Sequence, residues 1–167
     1  MKSKLFALLT MVLLGVVGVL FINATNNDYQ KEVGGKHQIK GYKVVANSQN
    51  ESIIEFNIAR SSSDKVNPSV KTLSEQDLVY QGEGQVIDPT LGKYRVQLTF
   101  TDTRLQKELV KQLGLKKKDL SSSELLKSIK VAYPPDDSLM VIYLGFDSKP
   151  QVNVEELEDK LVVKLTK

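Results

Sequence analysis

The chain has no cysteine and no tryptophan, and His37 is its only histidine. Without cysteine there is no disulfide staple, no cysteine-ligated zinc and no thiol nucleophile. Without tryptophan, and with aromatic residues at 7%, no stacking platform for bases or sugars is evident. Net charge is scarce as well. The formal +3 owes two charges to Lys2 and Lys4, which leaves the rest of the chain close to neutral. Binding DNA or RNA calls for a concentrated basic face, so no nucleic-acid partner is expected. G-x-S-x-G, the phosphate-binding loop and H-E-x-x-H are all missing. A lone histidine needs an oriented partner to act as a general base; set beside Gly34, Gly35 and Lys36, His37 reads as a solvated loop residue. The expectation is a protein that is not an enzyme, with no catalytic residue, cofactor or metal.

Long hydrophobic runs are limited to one. Leu5 to Ile22, LFALLTMVLLGVVGVLFI, is eighteen residues without a charge, at the lower edge of what spans a bilayer core as a helix. Leu5, Phe6, Leu13, Leu14, Val17, Leu20 and Ile22 are its candidate anchor side chains. Lys2 and Lys4 ahead of it hold the N-terminus in the cytoplasm, so that Thr25 onward is translocated. Two readings stay open: an uncleaved anchor, or a secretory signal cut after Ala24. The core is longer than a signal peptide needs, and Ile22-Asn23-Ala24 is not a small-x-small cut, which favours the anchor. Residues 1–24 are thus expected to be an anchor or signal segment. Residues 25–36, TNNDYQKEVGGK, read as a flexible tether, and 37–167 as a single exported domain. The expected location is the cell membrane, single-pass with the C-terminal domain outside the cytoplasm, or secreted if Ala24 is a cleavage site.

Within that domain, alternation of apolar and polar residues dominates. Ile54, Phe56 and Ile58 alternate with Glu55 and Asn57, and the polar turn Asn47 to Asn50 joins this run to Ile39–Val45 as a hairpin. Val70–Leu73 and Asp77–Tyr80 are weaker strands. Gly82, Gly84, Pro89 and Gly92 punctuate a long turn region. In Tyr94–Phe100 the residues Tyr94, Val96, Leu98 and Phe100 alternate with Arg95, Gln97 and Thr99, predicting one buried and one wet face. The period then changes. Leu105, Leu109, Val110 and Leu113 predict a helix over Thr103–Leu113, with Thr101 or Asp102 as its cap and Gly114 at its end. A second short helix is predicted from Ser122, with Leu125, Leu126 and Ile129 on its apolar side. Ile129–Tyr133, Leu139–Phe146, Val152–Val154 and Leu161–Leu165 then close the chain as strands. Leu139–Phe146 is apolar on both faces, as a strand in the middle of a covered sheet would be. The fold class expected is α+β, mostly β: an N-terminal transmembrane helix, then an antiparallel β-sandwich-like domain with one or two short helices.

The segment from Leu126-Lys127-Ser128-Ile129-Lys130-Val131 through Leu139-Met140-Val141-Ile142-Tyr143-Leu144 and Lys149-Pro150-Gln151-Val152 to Lys160-Leu161-Val162-Val163-Lys164-Leu165 resembles the AMIN domain family. Ser52–Ile58 and Leu73–Tyr80 resemble a degenerate earlier copy, giving an internal repeat over 39–100 and 126–166. The resemblance implies a non-catalytic module that places envelope proteins against peptidoglycan or within secretion and pilus machinery, with no cofactor or catalytic residue to carry over.

Charge supplies the remaining candidates. Between Asp102 and Lys130 eight basic residues face four acids, and between Asp136 and Asp159 seven acids face Lys149 alone. Arg104, Lys107, Lys111, Lys116, Lys117 and Lys118 form a candidate patch for an anionic partner. The competing account is that the two regions are neighbours and compensate, or are simply solvated. Asp136-Asp137 falls short of a calcium loop for want of further oxygen ligands, and Glu155 to Asp159 reads as a solvated hairpin tip. The function expected is a membrane-anchored envelope protein that binds or scaffolds a partner protein or peptidoglycan. The alternative is a structural subunit of a pilus-like or secretion-like assembly, associating through its apolar helix.

Overall fold

The computed structural model describes residues 35–61, 63–81, 84–106, 109, 118–120, 124–133 and 139–167. The expected anchor side chains Leu5 to Ile22, the candidate cleavage position Ala24 and the expected tether up to residue 34 lie outside them. Among the described residues no helix is long and apolar enough to cross a membrane.

The domain is built from strands: β1 (His37–Asn47), β2 (Glu51–Arg60), β3 (Ser69–Ser74), β4 (Val79–Tyr80), β5 (Gln85–Val86), β6 (Tyr94–Thr101), β7 (Thr103–Leu105), β8 (Lys118–Asp119), β9 (Ser128–Ala132), β10 (Leu139–Phe146), β11 (Gln151–Glu156) and β12 (Lys160–Thr166), with one 3₁₀ turn over Pro89–Leu91. Two five-stranded sheets result. Sheet I runs β11-β12-β2-β1-β7, and sheet II runs β3-β6-β10-β9-β8. All pairs are antiparallel except β1 with β7, and β4–β5 form a separate ribbon.

The period-2 pattern places the core. Ile54, Phe56 and Ile58 of β2 and Leu161, Val163 and Leu165 of β12 face Val96, Leu98 and Phe100 of β6 and Met140, Ile142, Leu144 and Phe146 of β10 in one buried cluster. The mostly-β, sandwich-like expectation is met, and the strand alternations fall where they were read. β10 is central in sheet II and buried on both faces. Its second face, with Leu73, Val79, Leu91, Ala132, Val141 and Tyr143, forms a smaller cluster of its own.

Three expectations are corrected. The helix over Thr103–Leu113 does not begin at Thr103. Asp102 takes a left-handed φ of 47°, and Thr103–Leu105 then pairs in parallel with His37–Ile39. Leu109 is helical and buried, and residues 107, 108 and 110–117 lie outside the described set. In the predicted helix from Ser122, Ile129 belongs instead to β9, and Leu125 and Leu126 precede it without helical structure. Their spacing reflects burial in the core rather than a helical stripe. Finally, the wet face expected for Tyr94–Phe100 is covered. Arg95 is fully buried, and Gln97 and Thr99 are partly so.

Candidate functional site

What covers Arg95 is a strap, residues 77–81 and 84–92, laid over the outer side of sheet II. Sheet register builds the floor beneath it. Leu73, Arg95, Gly145 and Ser128 form one cross-strand row, and Lys71, Gln97, Tyr143 and Lys130 form the next. Gly145 has no side chain because the strap comes down on it. A Cβ there would overlap the Leu91 carbonyl oxygen and Ser128 Oγ. Gly92 turns the strap away at φ 98°, a conformation that suits glycine.

The start of the 3₁₀ turn brings the chemistry in. Asp88 is its N-cap and Pro89 its first residue, the arrangement such a start favours. Asp88 Oδ1 accepts from the Thr90 N–H at 3.0 Å and from Thr90 Oγ1. Its Oδ2 accepts from Gln81 Nε2 and lies 3.4 Å from Lys130 Nζ. Both side chains of this pair are about nine-tenths buried. Burial pushes the Asp88 carboxyl up, but the Thr90 hydrogen bonds and the Lys130 ammonium outweigh it and hold the group below the usual carboxylate range.

Two further fasteners hold the strap. The Arg95 guanidinium donates to the Asp77 carbonyl at 2.9 Å and reaches the Gly92 carbonyl at 3.5 Å, while its Nε is buried without an acceptor. Tyr143 Oη accepts the Tyr80 N–H at 2.9 Å. Burial raises the Tyr143 phenol above its ordinary value, against the lowering effect of that bond and of Arg95. Asp77 itself is held below its usual value by the Ser74 N–H and hydroxyl, with smaller help from Lys71 and Arg95.

A second polar knot closes one end of the sandwich. Arg60 Nη2 lies 2.6 Å from Glu156 Oε1 and donates to the Leu157 carbonyl at 2.6 Å. The two Glu156 oxygens also accept the N–H groups of Val66 and Asn67 at 2.8 and 3.1 Å. Glu156 is therefore no part of a solvated tip, which corrects that expectation; Glu158 and Asp159 beyond it are exposed. His37 is corrected too. It is the first residue of β1, 5% exposed, with its Nδ1 buried and unpartnered, because it sits between Arg60 on β2 and Thr103 on β7.

Of the candidate basic patch, Arg104 lies on β7 and Lys118 on β8. Lys107, Lys111, Lys116 and Lys117 lie outside the described residues, as does Asp136-Asp137. Among the described residues Lys127 Nζ lies 3.7 Å from Asp147 Oδ2, in keeping with the account in which the basic and acidic regions compensate. Among the described residues no group of three or more acidic or histidine side chains is placed to hold a metal. Shallow surface depressions among the described residues include one along Gln151, Asn153, Lys164 and Thr166 and another around Gln49, Glu124, Lys127 and Asp147.

Sequence reasoning missed Asp88, Arg95, Lys130 and Tyr143 as a group. The signal available was Asp88-Pro89-Thr90, a turn start whose carboxylate has a second oxygen to spare. Nothing local said that a lysine 42 residues on would meet it. No family model, no curated protein and no solved structure matches this chain.

Proposed function

We propose that this chain is a membrane-anchored, non-catalytic envelope protein whose sandwich holds a partner protein or peptidoglycan beside the membrane. The observation that carries the reading is what the buried charges are used for. Asp88, Lys130 and Arg95 fasten the strap, and Arg60 with Glu156 fastens the sandwich end. A catalytic group needs a cleft and a coordination position left for substrate, and both Asp88 oxygens and both Glu156 oxygens are already taken by internal donors. On sheet I, Glu55 meets Lys160 and Glu51 meets Lys164 across strands at partly exposed positions. Such a face suits contact rather than reaction. The uncharged run Leu5–Ile22 behind two lysines supports placement at a membrane. The likeness to AMIN domains over Leu126–Leu165, the stretch that forms β9 to β12, supports the envelope setting.

The test is retention of the full chain, in detergent, by purified wall sacculi and by an immobilised membrane-protein extract in parallel. Salt-resistant retention by sacculi, or a single dominant protein partner, is the expected outcome. Retention by neither contradicts the proposal.

A further inference from the structure

An edge strand carries unpaired backbone donors and acceptors, and stable monomers blunt such edges with lysine, proline, bulges or brevity. The described edges of this sandwich are blunted in those ways, with one exception. β7 and β8 are three and two residues long, and the part of β9 that β8 leaves unpaired is the short stretch Lys130–Ala132. β1 beyond Ile39 carries Lys40 and Lys43 and shifts register twice, between Ile39 and Gly41 and between Val44 and Ala46. β3 carries Lys71, and Asp77 Oδ2 takes its last N–H, that of Ser74, at 2.6 Å. β11 has none of these over Gln151-Val152-Asn153-Val154. That stretch has no charge and no proline, and its register against β12 is unbroken.

The direction of its free groups follows from the hairpin. The Leu157 N–H donates to the Lys160 carbonyl at 2.8 Å, which makes these two a hydrogen-bonded pair. Antiparallel pairs alternate between bonded and non-bonded. Gln151, Asn153 and Glu155 therefore bond to β12, and Val152, Val154 and Glu156 turn their N–H and C=O outward. The valine side chains lie toward the core and are only half-buried, while Gln151, Asn153 and Glu155 are exposed on the other face.

We propose that β11 is a dimerisation strand: a second copy of this chain adds its own β11 antiparallel, with the two-fold axis at Asn153. The strand is self-complementary in that register. Val152 opposes Val154 of the second copy, the outward groups of the two exchange both main-chain bonds, and the symmetry repeats the pair. The Glu156 N–H meets the carbonyl of Pro150 of the second copy, while the Glu156 carbonyl stays with solvent because proline has no N–H to offer it. On the core side the half-buried valines cover one another. On the solvent side Gln151 opposes Glu155 of the second copy, with Lys149 diagonal to that carboxylate, so the basic start of the strand lies by its acidic end. The Glu156 carboxylate is already held by Arg60 and is no obstacle. Moving the axis to Val154 would set Glu156 against Val152, and moving it to Val152 would set Val154 against Pro150 and leave a single valine pair. Sheet I of one copy and sheet I of the second then join into one continuous sheet. This dimer does not depend on the adaptor reading.

The chain's lack of cysteine makes the register directly testable. Residues on the axis form a non-bonded pair with Cα atoms about 4.5 Å apart, within disulfide reach. In the full chain in detergent, Asn153→Cys is expected to give a disulfide-linked dimer on mild oxidation. Gln151→Cys and Glu155→Cys are expected to give none separately and a dimer when mixed. Asn153→Lys, at an exposed position, is expected to abolish dimer in sedimentation without changing the circular dichroism spectrum. Failure to cross-link at 153, equal cross-linking at all three positions (as association through the apolar leader alone would give), or a dimer indifferent to Asn153→Lys overturns the proposal.

Discussion

Lys130 Nζ lies 3.4 Å from Asp88 Oδ2, and that ion pair ties the strap to β9, beside the central strand of sheet II. Asp88→Asn is expected to cost about 3 kcal/mol in urea denaturation, because it leaves the Lys130 ammonium buried without its counter-charge. Lys130→Met is expected to cost less, since Asp88 keeps its bonds from Thr90 and Gln81.

The same carboxylate sets an acid limit. Its folded-state pKa lies below the ordinary 3.8, so the folded state gives up this proton more readily than the unfolded chain. The stability this contributes is complete above about pH 4 and is lost as pH falls below that value toward the folded pKa. Asp77 adds to the same limb, its pKa being lowered by Ser74. A urea midpoint measured from pH 7 down to pH 2 is expected to fall below pH 4, and to fall less steeply in Asp88→Asn.

Tyr143 and Tyr133 act at the other end. Burial raises both phenols above 10.0, so unfolded chains ionise first. Their contribution is complete below pH 10 and is lost as pH climbs from there through the folded pKa. Tyr143→Phe is expected to lessen this alkaline loss while costing about 1 kcal/mol at neutral pH, because the Tyr80 N–H loses its acceptor. Denaturation at pH 7 and at pH 10.5 separates the two effects.

Gly145→Ala tests the seating of the strap. The added methyl meets the Leu91 carbonyl, a main-chain group that cannot swing aside. A loss of about 1–3 kcal/mol is expected from overpacking, together with faster hydrogen exchange of the Leu91 amide, which normally bonds to the Asp88 carbonyl at 3.3 Å.

The strands were legible because burial of one face imposes period 2, and Ile54–Ile58 and Tyr94–Phe100 state it without a break. The double burial of β10 was legible because Leu139–Phe146 is apolar on both faces and shows no such alternation. Where burial came from the strap, the sequence was silent. Arg95 looks like a wet-face residue, and only the carbonyls of Asp77 and Gly92, brought back over the sheet, allow it inside. Thr103–Leu105 misled because Leu105 and Leu109 are both core residues, and their four-residue spacing also fits a strand that leads into a helical turn. His37 misled because its glycine neighbours suggested a loop, while its burial depends on Arg60 and Thr103 from two other strands.

The central claim is that the sandwich stands outside the cytoplasm, held by Leu5–Ile22, and it is tested most directly by labelling. A single cysteine at Lys43, exposed on β1, in the full chain expressed in a bacterium, would be offered a membrane-impermeant maleimide before and after lysis of spheroplasts. The account predicts full labelling of intact spheroplasts, with the labelled chain in the membrane fraction. Labelling only after lysis would contradict it.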